Sequence, residues 1–522
     1  MMKKWLLQGV QLIAMTMIFI IVPSYAADVG GRVQQFSISV DDAYDVSGQG
    51  DISLMQRYFQ GASWELPIPS ETWQKLKPLG VSRVRLINVE SGGEVAVDSR
   101  TGGLTFNFSN LLPAIRDCKK YGLKPHIIVG QNAQRALAQS SGKFLFGVRD
   151  WNAYEAYAYA LLKFVTVEQG VTQVDFEVAN EPDTNGASWL LPEARPPGVQ
   201  QMFDAYITLY EAWSSAAQKL SRAYPNVMLR LGGPAAGPYT FLAGDYNWYS
   251  KFAHEVSRRK LLLNFCSFHF YGNEAPLSDG ENFGSFPPFP KMIRYIREEF
   301  KRTLGKVVPI YITEWGASNA VNDRVKGVVN GNHAGAAWAA RFVLNSAELG
   351  VDAAMALVLR DHTFKPGGDD NWSWPAFLLA DGVTEKALYK VALMFMRLPM
   401  ARIRVIGDQG DLRVIAAKGE RKLAIMVIND VDAEKRSGTI CIKLVGKKLL
   451  GVLQSRISRF LVDESHGDAY AIKLRGGRVS EMKPGLEMVN EYRVAVVGGG
   501  MELPEIKLSP SSVMFLEIDL EK

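Results

Sequence analysis

Between residues 70 and 398 short apolar runs alternate with longer stretches of helical period, the pattern of a parallel sheet wrapped by helices. Strands are predicted at Val84–Ile87, Pro125–Val129, Val174–Ala179, Met228–Gly232, Phe265–Phe270, Pro309–Thr313 and Ala354–Leu359. Phe36–Val40, an apolar run followed at once by Asp41 and Asp42, is taken as the first strand in order. Helix-period segments fall at Ser70–Leu79, Ser109–Tyr121, Asp150–Gln169, Val199–Ala223, Asp245–Arg259, Pro290–Leu304, Asn332–Leu349 and Thr384–Leu398. Several open on a capping residue and close at glycine, as Ser109 with Gly122 and Asn332 with Gly350. Eight strands alternating with eight helices over roughly 360 residues is the count of a (β/α)8 TIM barrel. A doubly wound sheet is the alternative, but it usually carries a Gly-rich phosphate loop after its first strand, and none is visible. After Arg402 the pattern changes to short alternating strands, Leu412–Ala416, Leu423–Ile428, Ile440–Leu444 and Val513–Ile518, punctuated by Gly, Asn and Asp. The expectation is an α/β chain with a catalytic barrel over 36–400 and a β-sandwich accessory domain over 401–522, to which 27–35 could add a strand.

Composition narrows the function. The 522 residues are 47% hydrophobic and 22% charged, which suits folded domains and excludes disorder, collagen and coiled coil. A formal charge of +5, spread without a basic run, gives no support to nucleic acid as a partner. Cys118, Cys266 and Cys441 are too few and scattered for a disulfide framework, and no Cys/His spacing resembles a zinc site. The N-terminus reads as an export signal over 1–26: Lys3 and Lys4, an apolar stretch from Trp5 to Val22, then Pro23-Ser24-Tyr25-Ala26 with small residues before the cleavage point. An uncleaved membrane anchor through 5–22 is the alternative. The expected location is periplasmic or secreted.

In a barrel of this kind chemistry sits at the carboxyl ends of the strands. Those ends carry Arg85 and Asn88, Gln131 and Asn132, Asn180-Glu181-Pro182, His269 and Tyr271, Glu314-Trp315, and Arg360-Asp361-His362. Glu181 closes strand four and Glu314 closes strand seven, so their carboxylates can face each other across a substrate. That is what cleavage of a glycosidic bond requires, one carboxyl protonating the leaving oxygen while the other attacks the anomeric carbon. Arg85 would keep the attacking group ionised, and burial with the second carboxylate would raise the pKa of the acid.

Asp175-Phe176-Glu177-Val178-Ala179-Asn180-Glu181-Pro182 resembles the Asn-Glu-Pro signature of the retaining TIM-barrel glycoside hydrolase clan, and Tyr311-Ile312-Thr313-Glu314-Trp315-Gly316 resembles its strand-seven nucleophile motif. Within that clan, Ser267-Phe268-His269-Phe270-Tyr271 and the β-rich tail are most similar to glycoside hydrolase family 39, which holds β-xylosidases, α-L-iduronidases and bacterial exopolysaccharide glycosidases. The resemblance implies Glu181 as general acid/base, Glu314 as nucleophile and Asn180 as the partner of the sugar 2-hydroxyl. It also implies a carbohydrate substrate, with the cell's own exopolysaccharide as one candidate, and no cofactor or metal. His269 and Tyr271 share a strand face and would line the sugar site, the Tyr271 hydroxyl donating to Glu314. Strict alternation would send Asn180 and Glu181 to opposite faces, so a bulge or turn is predicted there. Glu177 and His126 read as buried structural groups. Trp315 and Trp374, with Trp189 and Trp372, are the aromatic candidates for stacking on sugar rings, against ordinary loop packing. Three other readings stay open: a transglycosylase on the same scaffold, a non-catalytic carbohydrate-binding or assembly protein, and an inverting hydrolase, which would need its carboxyls about 6.5–9.5 Å apart.

Overall fold

The computed structural model describes residues 33–521 except 44–50, 64–66, 140–146, 185–187, 192–197, 242–246, 280–285, 322, 324, 362–371, 408–411, 431–437 and 480–481. A strand β1 (Val33–Ala43) and a short helix α1 (Ile52–Arg57) precede a closed parallel barrel. Its strands are β2 (Gln60–Ser63), β3 (Arg83–Leu86), β6 (Lys124–Val129), β7 (Gln173–Val178), β8 (Met228–Ala236), β9 (Phe265–Tyr271), β10 (Ile310–Gly316) and β11 (Ala353–Ala356), with a hairpin of β4 (Val95–Val97) and β5 (Leu104–Phe106) inserted after the second. The surrounding helices are α2 (Ser70–Leu76), α3 (Leu112–Tyr121), α4 (Trp151–Lys163), α5 (Val199–Ala223), α6 (Trp248–Arg258), α7 (Phe289–Leu304), α8 (His333–Glu348) and α9 (Ala387–Arg397). Asp150 and Asn332 cap α4 and α8 by accepting backbone N–H bonds, and left-handed Gly122 and Gly305 end α3 and α7.

One expected strand lies elsewhere. Phe36–Val40 is not the first barrel strand. It belongs to β1, which pairs antiparallel with β12 (Ala401–Gly407) and parallel with β15 (Gly438–Val445) in the second sheet. The reason is legible in its alternation: Phe36, Ile38 and Val40 are buried while Gln35, Ser37 and Ser39 are not, the mark of a sheet with one covered face. The true first strand, Gln60-Gly61-Ala62-Ser63, is buried at every position yet carries almost no apolar signal. Gly61 is closely packed there, since a Cβ on it would meet Leu359 Cδ2 at 2.8 Å. Gln60 Oε1 accepts from the backbone N–H groups of Ser82 and Arg83, both at 2.8 Å, pinning the first strand to the second.

The second sheet has ten strands, adding β13 (Leu412–Lys418), β14 (Lys422–Asn429), β16 (Gln454–Val462), β17 (Met488–Ala495), β18 (Gly500–Glu502), β19 (Ile506–Leu508) and β20 (Ser512–Glu521). One apolar cluster takes Phe36, Ile38 and Ile440 from one end of it and Ile457, Leu516 and Ile518 from the other, so its two halves face each other over a common core. Residues 33–35 do enter this sheet as part of β1; 27–32 lie outside the described residues.

The domains are fastened on the side of strand eight. Ile415, Met426 and Phe515 join the core that runs under α8 and α9. Asp468, which caps α10 (Ala469–Leu474), accepts from the backbone N of His333 at 2.9 Å and contacts its Nδ1 at 2.7 Å. Among the described residues no helix is long and apolar enough to cross a membrane; Trp5–Val22 lies outside them.

Candidate active site

Strand four ends in a sharp turn. Ala179 and Glu181 both adopt left-handed backbone, φ 65° and 44°, which breaks the alternation and lets Asn180 and Glu181 both reach the barrel mouth. The turn is anchored by Ala179 N to Val129 O (2.8 Å) and Glu181 N to Ala235 O (2.9 Å). Such conformations cost energy in non-glycine residues and persist where surrounding structure enforces them, commonly at functional sites. On strand seven the register slips between Ile312 and Glu314, which sets Glu314 beside His269 of strand six. Both displacements bring acidic side chains to one place.

Arg85, fully buried, is the hub. Its Nη1 donates to Glu314 Oε1 (2.6 Å), its Nη2 to Asn180 Oδ1 (2.7 Å) and its Nε to Glu177 Oε2 (2.7 Å). Tyr271 Oη donates to the other Glu314 oxygen at 2.7 Å. His269 Nδ1 lies 2.9 Å from Glu181 Oε1 and 3.5 Å from Glu314 Oε2, bridging the two glutamates. Glu314 is 6% exposed, whereas the Glu181 side chain is 36% exposed, so one carboxylate is sealed in and the other opens to the mouth. Glu181, His269 and Glu314 each present an atom within 4.8 Å of the other two, and they are the residues of the site able to hold a cation. Arg85 already supplies a positive charge to Glu314.

Below this layer Glu177 faces His126 Nε2 at 3.4 Å, and Asp175 is bound by Arg83 (2.6 Å) and Lys124 (2.9 Å). Burial alone would raise both carboxyls, yet Arg85 and His126 on Glu177, and His126, Arg83 and Lys124 on Asp175, hold both well below the usual range. These are structural charges in the barrel floor.

The acid was expected to be raised, and here the structure differs. Burial pushes Glu181 up, but the hydrogen bond and charge of His269, with Arg85 behind, outweigh it and hold the carboxyl below its ordinary value. Burial pulls His269 down, and Glu314 and Glu181 more than restore it, leaving it raised. The elevation falls instead on two neighbours that the motifs did not single out. Asp183 is pushed to about 7 by burial and by Glu181, even though both its oxygens accept from Gly237 N at 3.1 Å. Glu274 is pushed to about 7 by burial and by Glu181. Asp183 follows Glu181-Pro182 directly and Glu274 stands three residues past Tyr271, so distance from the motifs was the available signal.

The remaining expected residues separate. Trp315 is 1% exposed and packs outward, its ring 5.1 Å from Phe342 and 6.4 Å from Trp338 of α8, so it belongs to the interlayer core and not to the sugar site. Alternation puts it on the face opposite Glu314. Trp374 is buried with Leu357, Val358 and Ala376 at the end of strand eight. Trp189 packs beside Tyr154 and Trp372 beside Tyr470 of the β domain. Asp361 forms a buried ion pair with Lys386, whose Nζ lies 3.0 Å from both carboxylate oxygens. Gln131 and Asn132 bind Glu90 through Gln131 N (2.8 Å) and Asn132 Nδ2 to the Glu90 carbonyl (2.7 Å), lashing the loops after strands two and three. His362 lies outside the described residues.

With this arrangement in view, comparison with known proteins is specific. The sequence profile of glycosyl hydrolases family 39 matches residues 79–364, more than half of the chain and a span holding Arg85, Glu181, His269 and Glu314. The chain belongs to this family. It is a glycoside hydrolase. A search of curated protein sequences returns no match. Among solved structures, a family 39 enzyme from Xanthomonas axonopodis pv. citri aligns with a TM-score of 0.71 at 16% identity, covering 94% of this chain and 98% of the other. A monomeric β-xylosidase from Caulobacter crescentus CB15 aligns at 0.70 and 17%, covering 94% and 100%. A bacterial orthologue of human α-L-iduronidase aligns at 0.61 and 14%, covering 94% and 84%. At these identities the likeness is one of fold, and it extends through both domains of this family 39 hydrolase.

Proposed function

We propose that this enzyme cleaves β-glycosidic bonds of an oligo- or polysaccharide outside the cytoplasm by double displacement, with Glu314 as nucleophile and Glu181 as acid/base. The observation that carries the reading is the approach of the two carboxylates, an oxygen of each lying within 4.8 Å. Retaining glycosidases hold their carboxyl groups about 5–5.5 Å apart, while inverting ones leave about 6.5–9.5 Å for a water. In the first step Glu314 Oε2 attacks the anomeric carbon, the bond to the leaving oxygen breaks, and the Glu181 proton passes to that oxygen. In the second, water attacks the same carbon as Glu181 takes back a proton, and the ester to Glu314 breaks. Arg85 holds Glu314 Oε1 and Tyr271 orients Oε2, so the nucleophile enters the reaction in a fixed pose. The Asn180 oxygen is taken by Arg85, which leaves its amide N–H to donate toward the sugar 2-hydroxyl. The exposure of Glu181 suits a group that meets first a leaving sugar and then water.

The export-type N-terminus supports a substrate outside the cytoplasm, and the resemblance to a family that holds bacterial exopolysaccharide glycosidases beside β-xylosidases and α-L-iduronidases makes a bacterial exopolysaccharide one candidate. Azide separates the two glutamate roles. On 2,4-dinitrophenyl β-D-xyloside or β-D-glucoside, Glu181→Ala is expected to regain turnover with sodium azide and give the β-glycosyl azide, while Glu314→Ala gives the α-azide. Exchange of the two products would reverse the assignment. Reducing-end release over xylan, β-glucans, mannan and extracted exopolysaccharide then identifies the polymer; release from the plant polymers alone would count against the exopolysaccharide.

A further inference from the structure

One end of the β domain carries apolar side chains that its own core does not use. The chain leaving β15 makes a tight turn, Lys447 to Leu453, before β16 begins, and β17 joins β18 through Val497, Gly498 and Gly499. In the first turn the apolar positions divide: Leu449 and Val452 are buried, while Leu450 and Leu453 are 59% and 81% exposed. In the second, Val497 is 78% exposed beside left-handed Gly498 and Gly499. The two turns are bonded to each other. Gly446 N donates to Gly499 O and Val496 N to Leu453 O, both at 3.0 Å, and a Cβ on Gly499 would meet Leu450 Cδ2 at 3.0 Å. Asp41, near the end of β1, accepts from the backbone N–H groups of Lys447 and Lys448 at 2.5 and 3.2 Å. Three aliphatic side chains are therefore held out at one fixed tip, with two exposed lysines beside them.

This tip lies at the end of the domain far from the active-site mouth. β16 starts at Gln454 beside the tip and runs nine residues, about 27 Å, to Val462. Past Val462 the chain reaches Asp468, which binds His333 in the first turn of α8, and a barrel helix begins on the mouth side. At the other end of α8, Glu348 pairs with Arg402 at 3.2 Å. Arg402 opens β12, and the register through β13, β14 and β20 places that start level with the start of β16. The mouth therefore opens away from whatever the tip touches.

The chemistry of the tip selects its partner. A second copy of this chain fits poorly. An isologous contact would set Lys447 and Lys448 against their own counterparts, and three side chains fall short of the roughly 800 Å² per partner that a stable interface needs. An acidic polymer would use the lysines and gain nothing from Leu450, Leu453 and Val497. Hydrocarbon bordered by anionic head groups satisfies both, taking in the aliphatic side chains while the lysines stay at the phosphates. The charge balance agrees: Lys418, whose Nζ donates to the Val40 and Asp41 carbonyls at 2.8 and 3.1 Å, joins Lys447 and Lys448 against Asp41 and Asp42. We propose that this tip is a peripheral docking site for a bilayer containing anionic lipid, and that it holds the enzyme with its mouth turned outward. The inference is independent of the catalytic roles of Glu181 and Glu314.

The experiment is co-sedimentation with phosphatidylcholine vesicles, with and without about one third phosphatidylglycerol. It uses the chain from residue 27, which keeps both domains and lacks the apolar Trp5–Val22 stretch that would itself enter a bilayer. The parent is expected to bind the anionic vesicles, and Leu450→Asn with Leu453→Asn to partition at least about tenfold more weakly at an unchanged urea midpoint. Lys447→Gln with Lys448→Gln should lose about fivefold per lysine on anionic vesicles and little on neutral ones. Where parental binding is too weak to sediment, the full chain decides. An environment-sensitive dye on Leu453→Cys, in a Cys441→Ser background, should shift to the blue with vesicles. The same dye on Leu474→Cys, 68% exposed on α10 at the mouth side, should not. An unshifted dye at position 453 would overturn the proposal. So would binding that survives the leucine changes and vanishes with salt, which would leave only a charged surface for an acidic polymer. A dimer in vesicle-free buffer that the leucine changes dissolve would give the tip to a second copy and overturn it as well.

Discussion

Replacing Glu314 with Gln is expected to lower kcat by at least about three orders of magnitude while leaving the protein folded. The amide keeps the size of the carboxyl and can still accept from Tyr271, which now donates to Glu314 Oε2 at 2.7 Å. It lacks the charge needed to form the glycosyl ester and to stabilise the oxocarbenium-like transition state. The loss should therefore appear in kcat and in kcat/KM together, with substrate binding retained, as measured by isothermal titration of the inactive variant with the best polymer. A variant that kept more than about a tenth of parental kcat would remove Glu314 from the chemistry.

The second large effect is on stability. Arg85 neutralises Glu177 and Glu314 at once in a fully buried position. Arg85→Met would fill much the same volume and leave two carboxylates buried without their shared cation. Breaking a buried ion pair from one side costs about 3–5 kcal/mol, so the midpoint of urea unfolding at pH 7.5 should fall accordingly, and turnover with it. The pH dependence carries a sign that can be checked. In the parent, Glu177 has its pKa depressed, so its contribution is present above the unfolded value of about 4.3 and is lost only as pH falls further. In Arg85→Met burial dominates and the folded pKa lies above the unfolded one. The penalty is then full at neutral pH and relaxes as pH falls toward about 4.3. The gap between parent and variant should narrow from pH 7.5 to pH 5; a constant gap would mean that Arg85 stabilises by packing alone.

Much of this arrangement is readable in the chain because the barrel repeats its own grammar. Seven of the eight barrel strands announce themselves as apolar runs, since parallel strands covered on both faces need such runs. The remaining one, Gln60–Ser63, is silent for the opposite reason: Gly61 stands against Leu359 where a Cβ would clash, and Gln60 is spent on the backbone of the next strand, so it carries little hydrophobic content. Phe36–Val40 was the louder candidate, and its alternation, rather than its hydrophobicity, was the clue to the other sheet. The motif Asn180-Glu181-Pro182 also implied more than residue identity. Two neighbours wanted on one face require a break in alternation, and the left-handed Ala179 and Glu181 provide it.

What the sequence left dark is mostly electrostatic. Spacing locates Glu181 and Glu314 at strand ends, but it does not reveal that one imidazole, His269, bridges them and holds Glu181 low while Asp183 and Glu274 rise. Those shifts depend on burial and on distances between loops that come from different parts of the chain. Trp315 shows the complementary error: adjacency to a key glutamate suggested a sugar platform, but the next residue on a strand points away from the barrel interior, here into α8.

The most direct test of the account is covalent trapping. The full chain is incubated with 2,4-dinitrophenyl 2-deoxy-2-fluoro-β-D-xyloside or its glucoside counterpart, which slow the second displacement more than the first. The expected result is loss of activity in step with a one-to-one mass increase, carried by the tryptic peptide of residues 307–324 and localised to Glu314. Label on any other residue, or turnover of these reagents with inversion at the anomeric carbon and no adduct, would contradict double displacement through Glu314.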